Sequence, residues 1–157
     1  MQNNAFSMNE LVPLIKEVIG EGGEFRLFPR GTSMLPLLKE GRDSVILVAP
    51  SVLKKRDICL YRRENGAYVL HRLIKWDQEG RPVFCGDNQT ALEYGVPRES
   101  VVAVVSAYYR GEKRVELGAF SYRFYSFWHC VFPLRRLRFL PRRTWGLLRR
   151  LVKRKTS

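Results

Sequence analysis

The sequence predicts a mainly β body over residues 1–120, with a short N-terminal helix, followed by a basic, helical tail over 121–157. Three observations carry this. Short runs rich in Val, Ile and aromatic residues recur from Phe25 to Tyr109 between Gly, Asn, Asp and Pro punctuation. Helical spacing is confined to Leu11–Ile19 and to the far end of the chain. The charge is also divided. Eleven of the 28 Lys and Arg residues lie in 121–157 without an acid, leaving 17 bases against 15 acids in the first 120. A chain of 157 residues with 45% apolar content is large enough for one real core, which excludes global disorder.

Asn9 and Glu10 read as the start of a helix over about 9–19. Leu11, Leu14, Ile15, Val18 and Ile19 share a face, Pro13 is tolerable in a first turn, and Gly20-Glu21-Gly22-Gly23 ends the run. Glu24–Phe28 alternates apolar with polar, as a half-buried strand does. Ser44–Val48, bounded by Gly41 and Pro50, reads as a buried one. Asp57–Tyr61, Ala67–Lys75, Pro82–Cys85 and Ser100–Tyr109 follow. Glu64-Asn65-Gly66 gives a strong hairpin signal and Gln78-Glu79-Gly80 a weaker one. Cys59, Cys85 and Cys130 form an odd set without metal-like spacing. They read as reduced thiols of a cytoplasmic chain, with no metal or cofactor implied.

The candidate chemistry begins at Gly31-Thr32-Ser33-Met34-Leu35-Pro36. Gly31 and Pro36 restrict the turn and hold Ser33 on a defined corner. A serine hydroxyl needs a base to become a nucleophile. His71, in Tyr68-Val69-Leu70-His71-Arg72-Leu73-Ile74, titrates near neutrality and can serve as one. Asp87, in Gly86-Asp87-Asn88, has two readings: it orients the His71 ring, or it caps the turn behind the site. Arg72 faces away from His71 in a strand and supports the fold.

The order GTSMLP, YVLHRLI, FCGDNQ resembles the type I signal peptidases and their LexA-like relatives, over roughly residues 25–106. The His-Arg pair is most similar to the endoplasmic-reticulum-type branch, in which His replaces the usual Lys base. The resemblance implies a signal-peptidase/LexA-like β-fold and a serine endopeptidase with catalytic Ser33, His71 and Asp87. It places Met34 and Gly31 at the substrate. Many members carry a Ser at the place of Gly31 that helps the oxyanion hole. Here the hole would rest on backbone N–H groups, that of Ser33 foremost, with Thr32 as an auxiliary donor. The branch's second acid falls at Glu93, the alternative to Asp87 as third member. The expected substrate is an extended peptide or precursor protein bound alongside a strand. The alternatives are a peptide-binding relative without turnover, and a binding protein acting through the tail.

Signal peptidases carry a membrane anchor ahead of the Ser motif. No secretory leader or 18-residue apolar run is read in this sequence, so processing of a cytoplasmic precursor is expected. The tail begins with Ala119–Leu134, in which seven of 16 residues are aromatic. Arg135–Lys155 then intersperses Leu137, Trp145, Leu148, Leu151 and Val152 with arginines, and Pro141 divides it. Such a segment fits peripheral contact with an anionic membrane at its inner face. Partner-protein docking is the next reading, and nucleic acid is not the expected partner.

Overall fold

The computed structural model describes residues 6–130, with side chains as far as Trp128. Helix α1 (Met8–Gly20) is capped by Ser7 rather than Asn9. Ser7 Oγ accepts the Glu10 N–H, and the Glu10 carboxylate accepts the Ser7 N–H at 2.7 Å, a reciprocal capping box. The earlier start moves Pro13 beyond the first turn, where it removes one helical hydrogen bond. Gly22, with φ of +83°, donates its N–H to the Ile19 carbonyl and stops the helix. Val12, Ile15 and Ile19 are buried against the sheet. Fully burying a side chain such as Ile15 stabilises by roughly 1.5–3 kcal/mol.

The body is one antiparallel sheet of seven strands: β1 (Phe25–Leu27), β2 (Asp43–Val48), β3 (Ile58–Arg62), β4 (Tyr68–Trp76), β5 (Pro82–Cys85), β6 (Val101–Arg110) and β7 (Lys113–Glu116). Their order is β1-β2-β6-β3-β4-β5, so β1 and β5 lie at the two ends. β6 is the axis. β2 runs along one side of it, while β3 on Val101–Val104 and β7 on Ala107–Arg110 share the other. Asn65-Gly66 turns β3 into β4, as the hairpin signal predicted, with Gly66 at φ of +84°. β7 has no clear sequence signal: Lys-Arg-Val-Glu is almost wholly exposed and shows no buried alternation. A helix α2 (Phe120–Cys130) follows it. The amphipathic reading of Arg135–Lys155 falls outside the described residues.

Alternation in the central strands creates the two main apolar clusters, beside a minor one of Ile74 and Cys85. Ile58, Leu60 and Leu70 join α1 in the larger one; Cys59, Tyr61, Val69 and Leu73 join Phe84 and Val96 in the smaller. Cys59 and Cys85 are buried; Cys85 Sγ donates to the Ala91 carbonyl at 2.9 Å, and burial pushes the Cys59 thiol well above its ordinary pKa. Among the described residues no helix is long and apolar enough to cross a membrane.

Candidate active site

His71 lies at the middle of β4, which pairs with β3 through Cys59 opposite His71 and with β5 through Arg72 opposite Cys85. Strand alternation sends the His71 side chain toward the smaller cluster, and only 2% of the residue is exposed. Its Nδ1 lies 2.9 Å from Glu93 Oε1. Glu93 reaches this place because its backbone pairs with Phe84 in both directions, at 2.8 and 3.0 Å, just beyond β5. Tyr61 Oη donates to Glu93 Oε2 at 2.7 Å and Arg63 Nε donates to the same oxygen at 2.9 Å. Arg63 Nη2 adds a further hydrogen bond to Oε1. The Tyr61 ring stacks on Phe84 at 4.3 Å, which fixes its hydroxyl.

Burial pushes the Glu93 carboxyl up. Hydrogen bonds from Arg63 and Tyr61, with the charges of His71 and Arg63, outweigh this and hold it below its ordinary value. Glu93 is therefore ionised at neutral pH. Burial pushes His71 down, and the pull of the Glu93 charge only partly offsets it. A neutral imidazole facing a carboxylate through Nδ1 carries its proton there, which leaves Nε2 with a free lone pair. That is the state a general base requires.

Asp87 is bonded to Arg72, and its charge adds a lesser upward pull on the His71 pKa. Its carboxylate takes the Arg72 guanidinium two-pronged, Nε to Oδ1 at 2.8 Å and Nη2 to Oδ2 at 2.7 Å, with both residues fully buried. Tyr125 Oη donates to Asp87 Oδ2 at 3.0 Å, and Arg72 Nη1 donates to Tyr122 Oη at 2.7 Å. The reason is the strand period of two. Arg72 and His71 are neighbours and face opposite sides of β4, and Asp87 shares the Arg72 side. Arg72 thus supports the fold, tying β4 to the Gly86-Asp87-Asn88 turn and both to α2.

Ser33 lies in the turn between β1 and β2 and is half-buried. Its carbonyl accepts the Asn88 N–H at 2.7 Å, and Asn88 Nδ2 donates to the Thr32 carbonyl at 3.2 Å. A Cβ on Gly86 would meet the Ser33 carbonyl oxygen at 2.7 Å, so the close approach requires glycine there. Register carries this contact to His71: Cys85 pairs with Arg72, so Gly86 stands opposite His71 one step further on. The serine turn is thereby held beside the end of the strand pair that carries the histidine. Among the described residues no hydrogen bond joins Ser33 to His71. Gly31, at φ of +85°, is exposed and donates its N–H to Glu40 at 2.8 Å. Met34 is a core side chain, 4% exposed, that also lines a cavity.

That cavity, about 700 Å³, runs between residues 25–31 and the start of β4. Phe25, Leu27, Phe28, Met34, Leu60 and Leu70 give it an apolar lining, with Ser33 on its wall. A more open hollow of about 690 Å³ is lined by Arg63, Asn88, Gln89, Thr90, Ala91 and Glu93. Ser33 borders the first, and Asn88, bonded to Ser33, borders the second. Among the described residues no group of three or more His, Cys, Asp or Glu is placed to hold a metal.

Tyr61 and Arg63 were not singled out from the sequence. The Asn65-Gly66 hairpin carries the missing signal: once it sets the register, Tyr61 falls opposite Val69 and on the face of His71. No family model matches the chain, and neither curated proteins nor solved structures provide a match.

Proposed function

We propose that the chain is a serine endopeptidase of signal-peptidase type in which Ser33 is the nucleophile, His71 the base and Glu93 the group that orients His71. The observation that carries this reading is the buried, neutral His71 held through Nδ1 by an ionised Glu93, beside the Gly86–Asn88 turn that binds the Ser33 carbonyl. Ser33 Oγ attacks a peptide carbonyl as its proton passes to His71 Nε2. The Glu93 charge, 2.9 Å away, stabilises the imidazolium. Backbone N–H groups of the serine turn hold the oxyanion, His71 returns the proton to the leaving amine, and water hydrolyses the acyl-enzyme. The Ser33–His71 hydrogen bond forms when substrate seats, as catalytic hydrogen bonds often tighten only in the complex. Among the described residues β1 is an end strand that pairs with β2 alone, so an extended peptide can align there with side chains in the apolar cavity.

The direct test is labelling by a fluorophosphonate, an activated probe that acylation-competent serines attack without a matched substrate. Mass spectrometry should place the adduct on Ser33, and Ser33→Ala and His71→Ala should both abolish it. Failure of the wild-type chain to label would refute the peptidase and favour a second reading. In that reading the missing Ser33–His71 hydrogen bond is permanent and the cavity binds peptides without cutting them.

A further inference from the structure

The exposed face of α2 lies opposite the face that grips the body. Tyr122 and Ser126 are buried, and the hydroxyls of Tyr122 and Tyr125 bond to the Arg72–Asp87 pair. The rotation of the helix about its axis is therefore fixed. Phe120, Phe124, Phe127 and Trp128 recur at i, i+4, i+7 and i+8, and all point outward. They are 86, 63, 48 and 47% exposed, an unusual density of large apolar rings on one short helix. The Arg56 guanidinium lies 5.1 Å from the Phe127 ring, placing a cation at the edge of the stripe. Immediately after α2, residues 131–157 hold ten Lys and Arg and no acid.

We infer that this aromatic stripe docks on an anionic lipid surface, with the rings at the headgroup boundary; the ten Lys and Arg that follow α2 in the sequence give the chain the complementary charge. Aromatic side chains combine an apolar body with a tolerance for the wet headgroup region, and a helix carrying them on one side lies in that plane. The charge complementarity selects lipid over two other occupants. A second copy of the chain would oppose one strongly basic segment to another. The acid-free 131–157 segment offers the stripe no carboxylate to pair Arg56. Because the Tyr122 and Tyr125 side hangs on the body independently of any chemistry at Ser33, the inference does not depend on catalysis.

The test uses the full chain with vesicles of phosphatidylcholine alone or mixed with phosphatidylglycerol, and a double variant Phe120→Gln, Phe124→Gln. Both replaced rings are solvent-facing, so the melting curve should not move. Co-sedimentation should show wild-type binding to the mixed vesicles and weak binding to phosphatidylcholine. The double variant should lose about tenfold or more in affinity, or 1.4 kcal/mol per tenfold. Four results would overturn the inference. The first is a wild type that binds neither vesicle, and the second a double variant that binds as well as wild type, which leaves charge alone responsible. A melting temperature lowered by the double variant with affinity intact would show the stripe is an internal contact. Conversion of a wild-type dimer to a monomer with affinity intact would assign it to a second copy.

Discussion

Glu93→Gln separates the proposed chemistry from the fold with one atom. In the native site the ionised Glu93 accepts a hydrogen bond from His71 Nδ1 at 2.9 Å and leaves Nε2 free for the serine. A glutamine can present its NH₂ to Nδ1 instead, which moves the imidazole proton to Nε2, the wrong side for a base. It also removes the charge that stabilises the imidazolium. Loss of the carboxylate in a serine-histidine-acid site lowers turnover by about 10⁴-fold. A fall of about 10³- to 10⁴-fold in the second-order rate of fluorophosphonate labelling is therefore expected. The stability loss should be small, about 1–2 kcal/mol, because the amide oxygen still accepts from Arg63 or Tyr61. The residual rate has a sign of its own. Glu93 raises the His71 pKa against burial, so its removal should move the acid limb of the rate profile to lower pH. The assay is labelling rate against pH for both proteins, with urea unfolding on the same samples. A Glu93→Gln protein labelling within about threefold of wild type would refute the assignment of Glu93 and return the third place to an open question.

Ser33→Ala should abolish labelling and shift stability by less than about 0.5 kcal/mol, since it removes a half-buried hydroxyl with no hydrogen bond among the described residues; calorimetry and labelling check both halves. Gly86→Ala places a Cβ 2.7 Å from the Ser33 carbonyl oxygen, so it should cost about 1–3 kcal/mol and slow labelling by displacing the serine turn. Asp87→Ala strands the buried Arg72 charge and should cost about 3–5 kcal/mol in urea unfolding, far more than Glu93→Gln. The His71 pKa in the fold lies below its unfolded value of about 6.5, so the unfolded chain takes up the proton first as the pH falls. Its contribution to stability is complete above that value and is lost as pH drops through the folded pKa. Urea midpoints on either side should show this slope, and His71→Gln should flatten it.

Much of the fold was legible in the sequence because its strands obey local rules. Ser44–Val48 carries a continuous apolar run and is buried on both faces; Pro82–Cys85 matches to the residue; Asn65-Gly66 makes the turn its dipeptide encodes. The elements that were missed or misplaced depend on partners rather than local pattern. β7 forms because Arg110 and Gly111 fold the chain back on β6 and Arg114 meets Glu24 at 3.1 Å, a contact 90 residues away in sequence. The start of α1 depends on Ser7, whose capping partner Glu10 was visible but was paired with the wrong cap.

The site shows the same boundary at higher stakes. Sequence alone brings Ser33, His71, Asp87 and Glu93 into consideration, but which acid meets the histidine is a question of sheet faces. His71 and Arg72 are consecutive, so they face opposite sides of β4, and each meets the carboxylate on its own side. Asp87 follows β5 directly and inherits the Arg72 face. Glu93 returns through its backbone pairing with Phe84 and inherits the face of Tyr61 and His71. The two acids thus divide the work: one is fully buried and doubly bonded to arginine, the other is partly exposed and set against an imidazole. This separation gives the proposed site a property that a shared acid could not have. The pair that locks the Gly86–Asn88 turn to α2 keeps its own hydrogen bonds on the far face of β4 and feels His71 only through charge, so the turn holding Ser33 need not loosen when His71 becomes charged.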